Sequence, residues 1–135
     1  MNYKEIVTKA VIAKGKKNST NNYTLQTEET PNTILGCWVI NHTFNGTNLG
    51  NKVLVNGNFD VNVWYSYDND SKTAVSTQKF NYTDTMRMNI DNNQTGTEVI
   101  VKSIQQPTVS DVNIKDGIVN LNITKELGIE IVGDA

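Results

Sequence analysis

The sequence predicts an all-β chain, an antiparallel β-sandwich or partly closed barrel of about seven to nine strands with at most a short N-terminal helical turn. Three observations predict it. From Val53 to Tyr67, Val, Phe, Tyr or Gly fills the odd positions and Asn, Asp or Ser most even ones, the period of two of a half-buried strand. Asp116-Gly117 stands between two alternating runs as the loop dipeptide of a type I′ hairpin. No amphipathic segment of helical length, heptad or short repeat occurs anywhere in the chain. With 135 residues the chain is long enough for one sizeable core, and residues 1–135 are expected to form a single domain.

Taken in order, Tyr3 to Val11 fits either a helical turn or an extended lead-in, followed by a strand that ends near Gly15 and its lysines. Residues 18–33 are polar and predict a long surface loop. Ile34 to His42 is apolar on both faces, Leu35, Cys37 and Val39 on one side and Ile34, Trp38 and Ile40 on the other. Such a strand is covered twice, by its own chain or by another subunit. Asn45-Gly46 and Leu49-Gly50-Asn51 supply turn chemistry.

The central stretch would extend roughly 50 Å at about 3.4 Å per residue, more than a compact domain spans, so a bend or bulge is expected at Gly57. Its outward face breaks pattern at Leu54 and Trp64, two large apolar groups that need cover. Asp68 to Ser71 makes a turn, Thr73 to Met88 supplies more strand, and Asp91 to Gly96 turns again. Glu98 to Ile104 is a strand that Pro107 interrupts, having no amide hydrogen to give. In the Asp116-Gly117 hairpin, pairing Lys115 with Ile118 puts Val112 and Ile114 beside Val119, Leu121 and Ile123. Leu127 to Val132 forms a last strand.

The chemistry-bearing residues are sparse. One His, His42, and one Cys, Cys37, lie five apart, on opposite faces of a strand, which separates a thiol from its base and falls short of a zinc ligand set. Asp68-Asn69-Asp70 starts like a calcium loop, but Thr73 occupies its glycine position and no closing Glu follows. No phosphate-binding glycine loop, nucleophile elbow or paired carboxylate is present. The charge of −2 gives nucleic acid or an anionic membrane nothing to attract. No segment reaches the ~20 apolar residues that span a bilayer, and the first residues lack the apolar run of a secretory signal. Trp64 points away from Tyr65 and Tyr67, so these rings form no single platform for sugars. A carbohydrate- or ligand-binding sandwich is the alternative function. No catalytic, cofactor-binding or metal residue is predicted.

Lys4 to Lys16, Ile34 to His42, Asp60 to Tyr67 with its Asn-Val-Trp-Tyr-Ser-Tyr, and Gln105-Gln106-Pro107 together resemble the outer spore coat morphogenetic family, spore coat protein E, of endospore-forming Firmicutes. The resemblance runs from the N-terminus to the final Glu-Ile-Val-Gly. It implies a protein of the mother-cell cytoplasm, and then of the spore coat, that self-associates, docks on an inner-coat basement-layer protein and recruits outer coat proteins, without catalysis or cofactor. Members of the family continue into a strongly acidic tail that is absent here, where the last residue is Ala135. Trp38, Leu54 and Trp64 are the candidate self-association or partner surface.

Overall fold

The computed structural model describes residues 9–88 and 97–134, and these form six strands: β1 Lys9–Leu25, β2 Thr33–Asn48, β3 Lys52–Tyr67, β4 Lys72–Arg87, β5 Glu98–Lys115 and β6 Ile118–Asp134. They build two three-stranded antiparallel sheets, β1-β6-β5 and β2-β3-β4. The sheets face one another with β2 over β5 and β1 over β4. The core is the inner phase of the two central strands: Val53, Val55, Phe59, Val61, Val63 and Tyr65 from β3 meet Val119, Leu121, Ile123, Leu127, Ile129 and Ile131 from β6. β6 alternates throughout and β3 as far as Tyr65, after which Ser66 is buried too, and a half-buried sheet selects that alternation by burying every second side chain.

The strands are fewer and longer than the sequence predicts, and no barrel closes. β3 runs through Gly57 unbroken, pairing with β4 residue for residue. The glycine serves packing instead, since the Tyr82 ring lies over it where a side chain would collide. The bulge sits on the neighbouring strand, between Ile40 and Thr43 of β2, with Asn41 in the left-handed region at φ 58°. At about 3.3 Å per residue, strands of this length make a sandwich roughly 50 Å long, so the chain is elongated rather than folded back at Gly57.

Other breaks dissolve for similar reasons. β1 passes Gly15 and continues to Leu25, so the loop expected over residues 18–33 shrinks to residues 26–32. Its Asn and Thr residues face solvent and bond across the strand pair, as when Asn22 donates to Asn122 at 2.9 Å and Thr20 meets Thr124 at 2.9 Å. β5 continues past Pro107 because it is an edge strand, where a missing donor costs no ladder bond. Its pairing with β6 shifts on both sides of that proline. β6 joins the two predicted C-terminal strands into one. The Asn45-Gly46 turn is likewise absent: Gly46 lies within β2 against Val99 and Val101, and the reversal comes at Leu49 to Asn51, where Gly50 has φ 94°.

The Asp116-Gly117 hairpin has the register predicted, Lys115 opposite Ile118, with both turn residues at positive φ. Asp68, Asn69 and Asp70 make the other predicted turn, all three left-handed, a conformation their short polar side chains tolerate. The helical turn considered near the N-terminus and the turn at Asp91 to Gly96 fall outside the described residues.

Candidate functional site

The outer face of the β2-β3-β4 sheet carries the residues that the sequence singles out. Trp64 of β3 stands opposite Gly36 of β2 and Val75 of β4, and Trp38 stands opposite Asn62 one row along. Gly36 has no side chain, and the two indoles flank its position: an added Cβ would sit 3.2 Å from the Trp38 ring and 3.6 Å from the Trp64 ring. Trp38 and Trp64 are each 42% exposed and Val75 56%, with Ile40 exposed beside them. Aromatic rings on a sheet surface offer large contact area at small entropic cost.

β2 is not covered twice within the chain. It is an edge strand whose outer face stays open, and a register shift between Ile34 and Gly36 turns Ile34 inward against Tyr65 while leaving Leu35 exposed. The expected division of its apolar residues therefore changes at that bulge, Cys37 and Val39 remaining inward with Ile34.

Leu54 does not join the tryptophans. It lies ten positions from Trp64 on β3, about 33 Å away along the strand, half-buried between Thr47 and Thr85. Between the two spots runs a belt of amides and hydroxyls. Thr43 donates to Asn58 at 3.0 Å, Thr83 to Asn56 at 2.8 Å and Asn41 to Asp60 at 3.0 Å. This belt satisfies its own polar groups across the strands.

A second cluster, which the sequence reading passed over, lies between the sheets. Lys125 follows the inner phase of β6 and is only 2% exposed. Its Nζ lies 3.1 Å from Asp84 Oδ2, donates to Ser19 Oγ at 2.9 Å and sits 4.2 Å from the centre of the Tyr82 ring. A carboxylate, a hydroxyl and a π-face thus surround the buried ammonium, ties that join β6 to β1 and to β4 of the opposite sheet. The signal was present as one lysine in an otherwise apolar alternation, hidden by dividing β6 in two.

His42 completes the cluster because the β2 bulge turns it inward, to the same side as Cys37 rather than opposite. Its partners are Tyr82, whose hydroxyl is 2.6 Å from Nε2, and Gln106, whose Oε1 is 3.4 Å from Nδ1. An amide oxygen only accepts, so Nδ1 carries the proton and the Tyr82 hydroxyl donates to Nε2. Burial raises the pKa of the Cys37 thiol, away from the thiolate that nucleophilic or metal chemistry uses. Among the described residues no group of three or more His, Cys, Asp or Glu could hold a metal ion.

Burial lowers the pKa of His42 below its ordinary 6.5, the charge of Lys125 adds to that, and the Gln106 bond opposes it. Folding therefore favours the neutral ring. Below pH 6.5 the unfolded chain takes up the proton first, so the stability that neutral His42 contributes is complete above about 6.5 and is lost as pH falls through the lowered folded value. We expect the melting temperature to drop between pH 7.5 and 5.5, and to drop less in His42→Gln. Parallel curves for the two proteins would rule out His42 as the titrating group.

No helix among the described residues is long and apolar enough to cross a membrane. No curated protein and no solved structure matches the chain. A family model does match it, over residues 2–135, and that family is described as outer spore coat protein E.

Proposed function

This chain belongs to the outer spore coat protein E family, its role is in the spore coat, and we propose that there it is a self-assembling scaffold that organises and recruits other coat proteins. The observation that carries the reading is the open outer sheet face, where Trp38 and Trp64 stand exposed around Gly36 and Val75 and Ile40 are exposed on the same face. A second copy or another coat protein covering that face removes apolar area from water.

The strand edges support the same reading. β4 pairs with β3 without a single register shift and contains no proline. Met88 donates its amide hydrogen to Asn51, so the even residues of β4 bond to β3 and the odd ones, Thr73 to Thr83, turn their backbone groups outward. A regular edge of this kind can add a strand from another chain. The reading places the protein in the mother-cell cytoplasm before it reaches the coat, with an inner-coat basement-layer protein and outer coat proteins as partners and no catalysis.

The experiment is solution mass by light scattering across a concentration series, with electron microscopy of the largest species, for the wild type and for Trp38→Ser and Trp64→Ser. We expect oligomers from the wild type and their loss in both variants, with unfolding free energies within about 0.5 kcal/mol of wild type, as for surface substitutions. A variant that unfolds instead makes its tryptophan part of the core. A wild type that stays monomeric at every concentration favours the ligand-binding sandwich.

A further inference from the structure

Two parts of the surface differ in charge. At one end the loop 26–32, the Asp68–Ser71 turn and the Asp116-Gly117 turn come together. Asn32 donates its amide hydrogen to Ser66, Asp70 donates its own to the Asn32 side chain, and Thr30 lies against Gly117. This end gathers Glu28, Glu29, Asp68, Asp70 and Asp116 against Lys72 and Lys115. The loop is pinned rather than loose: Thr27 and Pro31 are buried and the Glu29 amide donates to the Tyr65 hydroxyl at 3.4 Å. Glu28 and Glu29 therefore stand exposed on a fixed tip.

Eleven positions beyond Gly117 on β6, about 36 Å along the strand, the outer face of the β1-β6-β5 sheet is basic. Lys14, Lys16 and Lys102 rim a depression of about 350 Å³. Gly128 contributes no side chain to its floor, and Ile104 lies in it 50% exposed. Glu130 is its one carboxylate, paired with Lys102 at 3.7 Å. Among the described residues Lys14 and Lys16 have no ion pair, and neither do the carboxylates of Glu28 and Glu29.

We propose that copies of this chain associate head to tail, the Glu28-Glu29 tip of one docking in the Lys14-Lys16-Lys102 depression of the next. This rests on the self-assembly reading and names its polarity. Every copy carries both patches, and like patches repel, which sets orientation. A contact between unlike patches is heterologous: it propagates into a ring or an open array and leaves an unused patch of each sign on any unclosed species. Ile104 supplies an apolar contact at the centre of the lysines. The contact uses neither the tryptophan face nor the β4 edge, so those stay available for lateral growth or for other coat proteins.

The test uses the full chain in two charge-reversed forms, Glu28→Lys/Glu29→Lys and Lys14→Glu/Lys16→Glu, all at exposed positions, with folding checked by urea unfolding. We expect each form alone to need at least about tenfold more protein to assemble than wild type, one tenfold step being about 1.4 kcal/mol. An equimolar mixture should regain wild-type assembly, because each form then meets the opposite charge on the other. Raising salt from about 0.05 to 0.5 M should weaken wild-type assembly by a similar factor through screening. Should a form fail to fold, Glu28→Gln/Glu29→Gln and Lys14→Gln/Lys16→Gln replace the pair, and each should weaken assembly. Wild-type assembly by both forms, or a mixture that stays dissociated, overturns the head-to-tail contact while leaving self-assembly standing. A wild type monomeric throughout removes both.

Discussion

Replacing Asp84 with Leu is expected to destabilise the fold by about 3–5 kcal/mol, the cost of leaving one member of a buried ion pair without its partner. Lys125 would keep the Ser19 hydroxyl and the Tyr82 ring, but neither carries the opposite charge. The ammonium is buried, Lys125 being 2% exposed, and Ile123 and Leu127 flank it on the same inner face. Urea unfolding of Asp84→Leu, Lys125→Met and the double variant tests this. The double variant should recover most of the loss, because an apolar pair of similar volume requires no desolvation of charge. Equal losses in Asp84→Leu and in the double variant would mean that packing, not charge, holds the site.

Gly57→Val is expected to cost about 1–3 kcal/mol through overpacking. Gly57 faces inward on the central strand opposite both Phe44 and Tyr82, and the Tyr82 ring occupies the space a side chain would enter. That ring also lies under Lys125 and bonds His42, so displacing it disturbs the ion pair as well. A double-mutant cycle with Tyr82→Leu separates the two effects. If the clash dominates, Gly57→Val costs much less when Tyr82 is already Leu. An unchanged cost would place the loss in the β3 backbone.

How much was legible depended on which physical signal each residue gave. The inner phases of β3 and of the β5–β6 hairpin were readable because alternation and turn chemistry are local, fixed by side-chain period and by the φ values Asp and Gly accept. The outward direction of Trp64 followed from the same alternation, but the cover expected for it from a second layer of the same chain is not there, and the ring is 42% exposed. The Ile34 and Leu35 assignment failed because a bulge shifts the period by one residue and leaves no mark in the composition. The same cause hid His42: the Asn41 bulge turns it from the outer face to the inner.

Gly, Pro and polar residues mark true reversals at Gly50, Asp68 to Ser71 and Gly117, but not everywhere. Gly15, Pro107 and residues 18–25 all continue strands, because a cross-strand partner supplies what local propensity lacks, whether Asn122 to Asn22 or β6 to one side of β5.

By itself the sequence determined an all-β chain, the inner faces of its central strands, the two tight turns and the absence of a recognisable catalytic motif, because each follows from neighbours two or three positions apart. Only the tertiary structure decided that there are six long strands in two sheets, that Lys125 meets Asp84 and Ser19 across the core, and that acidic and basic groups gather at separate places. Those facts depend on residues as far apart as Lys9 and Asp134, which pair across β1 and β6, and their pairing is set by which sheets pack together rather than by any local preference.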